Sequence, residues 1–144
     1  MIRLEPVIDF LPDGFEMLRG EALAEGWNHI ERLVAEWSSG EQRFRQPDEF
    51  LIVGFAGDAV AGVGGLTVDP VVATALRMRR FYVRAAFRRT GIGRALALRL
   101  LDRAHQAGRP VTVHAGPGSA PFWEALGFNE DVREGRTHIF DATQ

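Results

Sequence analysis

The chain contains no cysteine and no lysine, and only one tyrosine. Without cysteine there is no disulfide framework, no thiolate metal site and no cysteine nucleophile. Without lysine there is no Walker-type phosphate loop, which needs Gly-Lys-Ser/Thr, and all 17 basic residues are arginine. No apolar run approaches ~18 residues, and no basic segment followed by an apolar run opens the chain. A membrane span and a secretory leader are therefore not expected, and a cytoplasmic location is. A net charge of −2 argues against a dedicated nucleic-acid binder, whose surface would be basic. The four histidines have no metal-ligand spacing, so no metal is expected. What remains is 144 residues with 46% hydrophobic content, enough for one domain, 1–144, with a real core.

Hydrophobic periodicity divides the chain into alternating elements. Ile2 to Val7 alternates as a first strand. Asp13-Gly14-Phe15-Glu16 reads as a helix start with Asp13 as N-cap, running to about Ala24. Glu25-Gly26-Trp27 breaks it. A second helix carries Trp27, Ile30, Leu33, Val34 and Trp37 on one stripe, and Ser38-Ser39-Gly40 ends it. The stripe is core by its spacing, although Trp27, at a break, is placed to wall a pocket. Leu51–Ala56 and Val60–Val68 form a hairpin about Gly57-Asp58, and Leu76–Val83 follows. The glycines of the second of these strands predict close approach by a neighbour or a ligand. A helix to Ala107, a short strand at Val111–His114, a helix capped by Ser119 and ending at Gly127, and a hairpin about Glu134-Gly135 complete the chain. The sum is a mixed α+β domain of about seven strands and four helices.

The organising stretch is Phe81 to Leu101: a strand ending Phe81-Tyr82-Val83, then Arg88-Arg89-Thr90-Gly91-Ile92-Gly93-Arg94, then a helix. The first N–H groups of a helix have no partner within it and carry the positive end of its dipole. Gly91 and Gly93 have no Cβ to keep a ligand from that backbone, and Arg88 and Arg89 stand just before. This pattern predicts an anion site. It lacks the third glycine of a dinucleotide fingerprint, where Leu96 stands. From Val71 to Leu101 there are eight arginines and no acidic residue, a local positive field in an acidic protein.

Arg88-x-x-Gly91-x-Gly93 after a strand, followed by Phe122-Trp123-Glu124-Ala125-Leu126-Gly127-Phe128, resembles the GCN5-related N-acetyltransferase (GNAT) superfamily. The resemblance covers Arg80 to Phe128. It implies a central, mostly antiparallel twisted sheet, with acetyl-CoA as co-substrate and an amine as acceptor; charge, hydropathy and histidine spacing leave no nucleic acid, membrane or metal partner expected, and a homodimer stays open. It places the pyrophosphate on the backbone of Arg89, Thr90, Gly91, Ile92, Gly93 and Arg94, flanked by Arg88. In the family the strand before the turn splays from its neighbour. Applied here, Phe81, Tyr82 and Val83 form the cofactor-binding strand, with the backbone of Phe81 and Val83 offered to the pantetheine amides.

The catalytic half departs from the family. The usual tyrosine acid falls on Trp123, the glutamate at the head of the central strand on Arg77, and an asparagine before the second signature on Gly116. Glu49, beside the start of a central strand, is the first choice for general base. His114 and Tyr82 are further candidates, and Glu25 or Glu36 could recognise a cationic acceptor. A non-catalytic acyl-CoA sensor is the alternative these departures permit.

Overall fold

A computed structural model describes residues 1–141. Its elements are β1 (Ile2–Pro6), α1 (Phe15–Ala24), α2 (His29–Ser39), β2 (Phe50–Ala56), β3 (Ala59–Val68), β4 (Leu76–Val83), α3 (Ile92–Ala107), β5 (Val111–Val113), α4 (Ala120–Ala125), β6 (Asn129–Arg133) and β7 (Arg136–Phe140), with a 3-10 turn at Ala85–Phe87 that periodicity did not anticipate. One sheet runs β1-β2-β3-β4-β5-β7-β6. Every pairing is antiparallel except β4 with β5.

Strand alternation gives the sheet two buried faces and so two cores. On one face Phe15, Leu18, Ile30, Leu33 and Trp37 of α1 and α2 meet Leu51, Val53, Val63 and Tyr82. On the other, Ile92, Leu96, Leu100 and Ala104 of α3 and Trp123 of α4 meet Ile52, Leu66, Leu76 and Met78. The α3 residues recur at helical spacing. Each fully buried leucine contributes about 2 kcal/mol. The glycines of β3 serve this packing: a Cβ on Gly62 would lie 2.9 Å from Leu96 Cδ1, and one on Gly64 2.8 Å from Phe81 Cδ2. The close neighbours are therefore a helix and an aromatic ring.

Three local expectations need correction. The α1 N-cap is Gly14, at φ 88°, with no side-chain cap; Pro12 C=O instead accepts the Phe15 N–H, which leaves Asp13 unused. Trp27 precedes α2 and is 38% exposed, so the buried stripe is Ile30, Leu33 and Trp37. Ser119 is the N-cap of α4, but its hydroxyl donates to Gly116 C=O at 2.8 Å and does not cap the helix.

Candidate active site

β4 and β5 share only two register pairs, Leu76↔Val111 and Arg77↔Thr112. Beyond them Val113 pairs with His138 of β7, and β4 runs on alone to Val83. The last shared pair is pinned by a buried network. Asp69 accepts from the Arg77 guanidinium at 3.2 Å, the Thr112 hydroxyl at 2.5 Å, and the N–H groups of Val71 and Val72. Burial pushes the Asp69 carboxyl up, but the Thr112 and backbone hydrogen bonds and the Arg77 charge together hold it below the usual carboxylate range. The Arg77 guanidinium lies so close to Gly135 that a Cβ there would sit 2.8 Å from it. Arg77, standing where the family glutamate was sought, thus locks the point where the two strands part.

A bulge follows. Val63 pairs with Tyr82 and Gly65 with Arg79, so Arg80 and Phe81 together oppose Gly64. Arg80 adopts φ 55°, a left-handed conformation a non-glycine residue holds at a cost of about 1 kcal/mol or more, and Glu36 of α2 fixes its side chain at 2.8 Å. Arg84 N–H bonds to Ala61 C=O. By antiparallel alternation the N–H and C=O of Val83 then point away from β3, toward the gap. In keeping with this, Val83 C=O accepts from Arg88 Nε, and Phe81 C=O from His29 Nε2, each at 2.9 Å.

The glycine turn closes one end of the gap. Arg89 stands at φ 63° and Gly91, the α3 N-cap, at φ 91°. The first intrahelical bond runs from Ala95 N–H to Gly91 C=O, so the N–H groups of Ile92, Gly93 and Arg94 have no acceptor within the helix. No side chain caps this end, and no acidic residue stands in its first turn. Arg89, Thr90, Gly91 and Arg94 are exposed, whereas the Ile92 side chain is buried beneath Gly54. The Thr90 hydroxyl bonds back to Phe87 C=O and braces the turn. Gly93 lies against Val83 and Phe122. These are the donors a diphosphate needs.

On the α2 side of β4 the same turn connects to a polar cluster. Arg88 grips Glu25 with both terminal nitrogens, at 2.6 and 3.0 Å, and the Tyr82 hydroxyl donates to the same carboxylate. The Arg88 bond, then that of Tyr82, hold Glu25 below the usual carboxylate range. Burial, reinforced by the bond to Glu25, pushes the Tyr82 phenol well up. His29 packs edge-on against Tyr82 and Trp27. Burial draws its imidazole below 6.5, and the charges of Arg80 and Arg32 add to the shift, against the Phe81 carbonyl. A carbonyl can only accept, so Nε2 carries the proton and Nδ1 keeps its lone pair.

Phe81, Tyr82, Val83, Arg88 and the glycine turn are therefore brought together. Glu49 is not. Its two oxygens accept the Gln46 and Val68 N–H groups at 3.1 and 2.9 Å, tying the 40–49 loop to the end of β3. Val68 pairs with Leu76, about 17 Å along β4 from Phe81 at strand rise. His114 is exposed just beyond β5. Trp123 is buried against Phe81, Phe122 and Phe128. Glu25 and Glu36, considered for a cationic acceptor, are instead held by Arg88 and Arg80. Half of the expected positive field is neutralised: Arg77, Arg80, Arg84 and Arg88 each face a carboxylate, from Asp69, Glu36, Glu21 and Glu25. Sequence reasoning missed His29. Its only signal was position, two residues after the tryptophan at the helix break.

A sheet that parts beside a glycine-started helix defines an acyl-CoA N-acyltransferase fold. The sequence agrees: residues 19–144 match the model of the GNAT acetyltransferase domain, and the chain belongs to that family. A protein assigned to the acetyltransferases from Exiguobacterium sp. 255-15 is 26% identical and superposes with a TM-score of 0.90, covering 99% of this chain and 95% of that one. A GNAT-family protein of Desulfovibrio desulfuricans is 18% identical, with a TM-score of 0.72 and 99% of each chain covered. The PaiA N-acetyltransferase of Thermoplasma acidophilum, solved with coenzyme A, is 16% identical, with a TM-score of 0.65 and 96% of each chain covered. The last two likenesses are of fold. No curated protein matches the chain by sequence.

Proposed function

We propose that the protein transfers an acetyl group from acetyl-CoA to a primary amine by direct attack in a ternary complex. The observation that carries this reading is the convergence, at one end of β4, of an uncapped glycine-started helix and a strand edge free of its neighbour. The N–H groups from Arg89 to Arg94 hold the pyrophosphate, with the arginine side chains around it. The edge at Phe81 and Val83 that β5 leaves uncovered pairs with the pantetheine amides as an added strand would, its two carbonyls each keeping a second lone pair beside their bonds to His29 and Arg88. A β4 N–H at this edge stabilises negative charge gathering on the thioester oxygen. Acetyl-CoA supplies an activated acyl group with a thiolate leaving group.

The base is His29. An amine such as that of lysine is mostly protonated near neutrality; the neutral fraction, its first proton lost to solvent, attacks, and its nitrogen turns cationic again as it bonds to the acyl carbon. Nδ1, neutral because burial lowers the imidazole, takes that proton. The bond from Nε2–H to Phe81 C=O fixes the tautomer and holds the ring beside the strand that carries the thioester. Tyr82 is a poor acid, since its hydroxyl is committed to Glu25. The thiolate therefore leaves with solvent as its proton source.

One observation favours a second reading: indole stands at the family tyrosine position, so a sensor that binds acyl-CoA without turnover fits the same site. Calorimetry with acetyl-CoA and thiol release across an amine panel separate the two. Binding with turnover supports the transferase, binding without turnover on any amine supports the sensor, and no binding by the wild type removes both.

A further inference from the structure

We propose that the acceptor is a small amine carrying a carboxylate, and that Arg79 is the residue that binds it. The inference rests on the acetyltransferase reading and deepens it.

Six arginines follow one another along β4 and the turn beyond it, and the last of them, Arg89, is exposed to water. Arg77 is paired with Asp69 at 3.2 Å, Arg80 with Glu36 at 2.8 Å, Arg84 with Glu21 at 2.5 Å and Arg88 with Glu25 at 2.6 Å. Arg79 has neither an ion pair nor a hydrogen bond among the described residues. It is nevertheless partly buried, and burial, with repulsion from Arg80 and Arg77, pulls its guanidinium below the ordinary arginine range against the smaller attraction of Glu36 and Asp69, neither of which reaches it as an ion pair. A guanidinium does not escape by losing its proton. A cation withdrawn from water without a partner is costly, and such groups are ordinarily paired.

Arg79 shares a face of β4 with the proposed base. Met78 belongs to the α3 core, so alternation turns Arg79 to the α2 face. Its cross-strand partner Gly65 confirms the side, because a Cβ there would meet Phe44 and Leu51 of the α2 core. Arg79 lies beyond the last β4–β5 pair and two residues before Phe81, about 7 Å along the strand. Phe81 carries the carbonyl that orients His29. A carboxylate on Arg79 thus leaves the amine of the same molecule within reach of the base. Thr67, the diagonal neighbour of Arg79 across β3, holds a buried side-chain oxygen, Oγ1, that has no hydrogen-bond partner among the described residues.

Local charge selects a single negative group. Arg77, Arg79 and Arg80 against Asp69 and Glu36 leave 3 − 2 = +1. One carboxylate balances this, whereas a phosphate dianion overshoots it. The guanidinium fork also matches a carboxylate bidentately.

The test is a panel of α- and ω-amino acids, each beside its own carboxamide, assayed by release of the CoA thiol. In the wild type the best carboxylate is expected to exceed its amide by about 30-fold in kcat/KM, the worth of a charged hydrogen-bonded contact of about 2 kcal/mol. Arg79→Gln is expected to bring that ratio within about threefold through KM, while acetyl-CoA affinity by calorimetry stays at the wild-type value and reports an intact fold. Arg79→Lys is expected to recover part of the preference. Amides used as well as carboxylates, a preference that survives Arg79→Gln, or acetyl-CoA binding with no amino acid acetylated would each overturn this proposal alone. A wild type that does not bind acetyl-CoA would overturn the acetyltransferase reading and this proposal with it.

Discussion

The two faces of β4 carry different chemistry. On the α3 face Met78, Phe81 and Val83 meet apolar helix and aromatic side chains across a β3 surface smoothed by Gly62 and Gly64. On the α2 face Arg77, Arg79, Arg80 and Tyr82 lie among carboxylates and an imidazole, from the loop after β3 and from the segment spanning α1 and α2. The carrier site beside the first face is built from residues close in sequence, a strand, a turn and the helix that returns over it, with Phe122 and Trp123 of α4 packed behind on Phe81. The second joins residues separated by up to 63 positions, as in Arg88 with Glu25. A carrier of fixed chemistry suits a local, motif-like site, whereas an acceptor is met by side chains that only folding assembles.

The sharpest way to break this contrast is at its fixed point. Asp69→Asn leaves the Arg77 guanidinium buried without its counter-charge, and is expected to cost about 3–5 kcal/mol of stability, read by denaturant unfolding. A loss under about 1 kcal/mol would mean the β4–β5 junction is held by something else. The same carboxylate sets a pH signature. Its folded-state pKa is depressed, so its contribution is complete above the unfolded value near 4 and is lost as pH falls through the lower folded value.

His29→Gln tests the polar face next. Glutamine can still donate to Phe81 C=O but offers no basic nitrogen. We expect kcat/KM to fall about 100- to 1,000-fold with acetyl-CoA affinity unchanged. In the wild type kcat/KM should fall on the acid side with an apparent pKa below 6.5, as His29 takes up a proton. Retention of that limb in the variant would assign the base elsewhere.

Gly91→Glu tests the other face. It puts a side chain on a φ of 91° and a negative charge at the helix start, and is expected to weaken acetyl-CoA about 100-fold in calorimetry. Unchanged affinity would place the pyrophosphate away from α3. The smallest effect is expected at Glu49. Glu49→Gln should leave kcat/KM within about twofold while costing about 1 kcal/mol of stability, since one of two backbone N–H partners loses a charged acceptor. A large loss of activity with stability intact would restore Glu49 as base.

Much of the fold was legible because its signals are local. The β2–β3 hairpin about Gly57-Asp58, the α3 stripe from Ile92 to Ala104 and the turn at Gly91 and Gly93 follow from periodicity and from glycine's freedom at positive φ. The errors fell where two local signals competed, as at the start of α1, where Gly14 rather than Asp13 became the N-cap. At the site, the strand edge and glycine turn were readable. His29 was not, because its meaning lies in a hydrogen bond to Phe81, 52 positions away. The arginine cluster shows the same limit: its charge was visible, but not which four of its eight members would pair, since Glu21, Glu25 and Glu36 lie in distant elements.

The order of strands and helices, the family and the uncapped glycine turn were determined by the sequence itself, since backbone conformation and helix dipoles depend on near neighbours. Tertiary structure alone decided which arginine of β4 stays without an ion pair among the described residues, which histidine faces the strand edge and where β4 leaves β5. Those outcomes depend on burial and on charge pairs across the sheet, and neither exists until the chain has closed on itself.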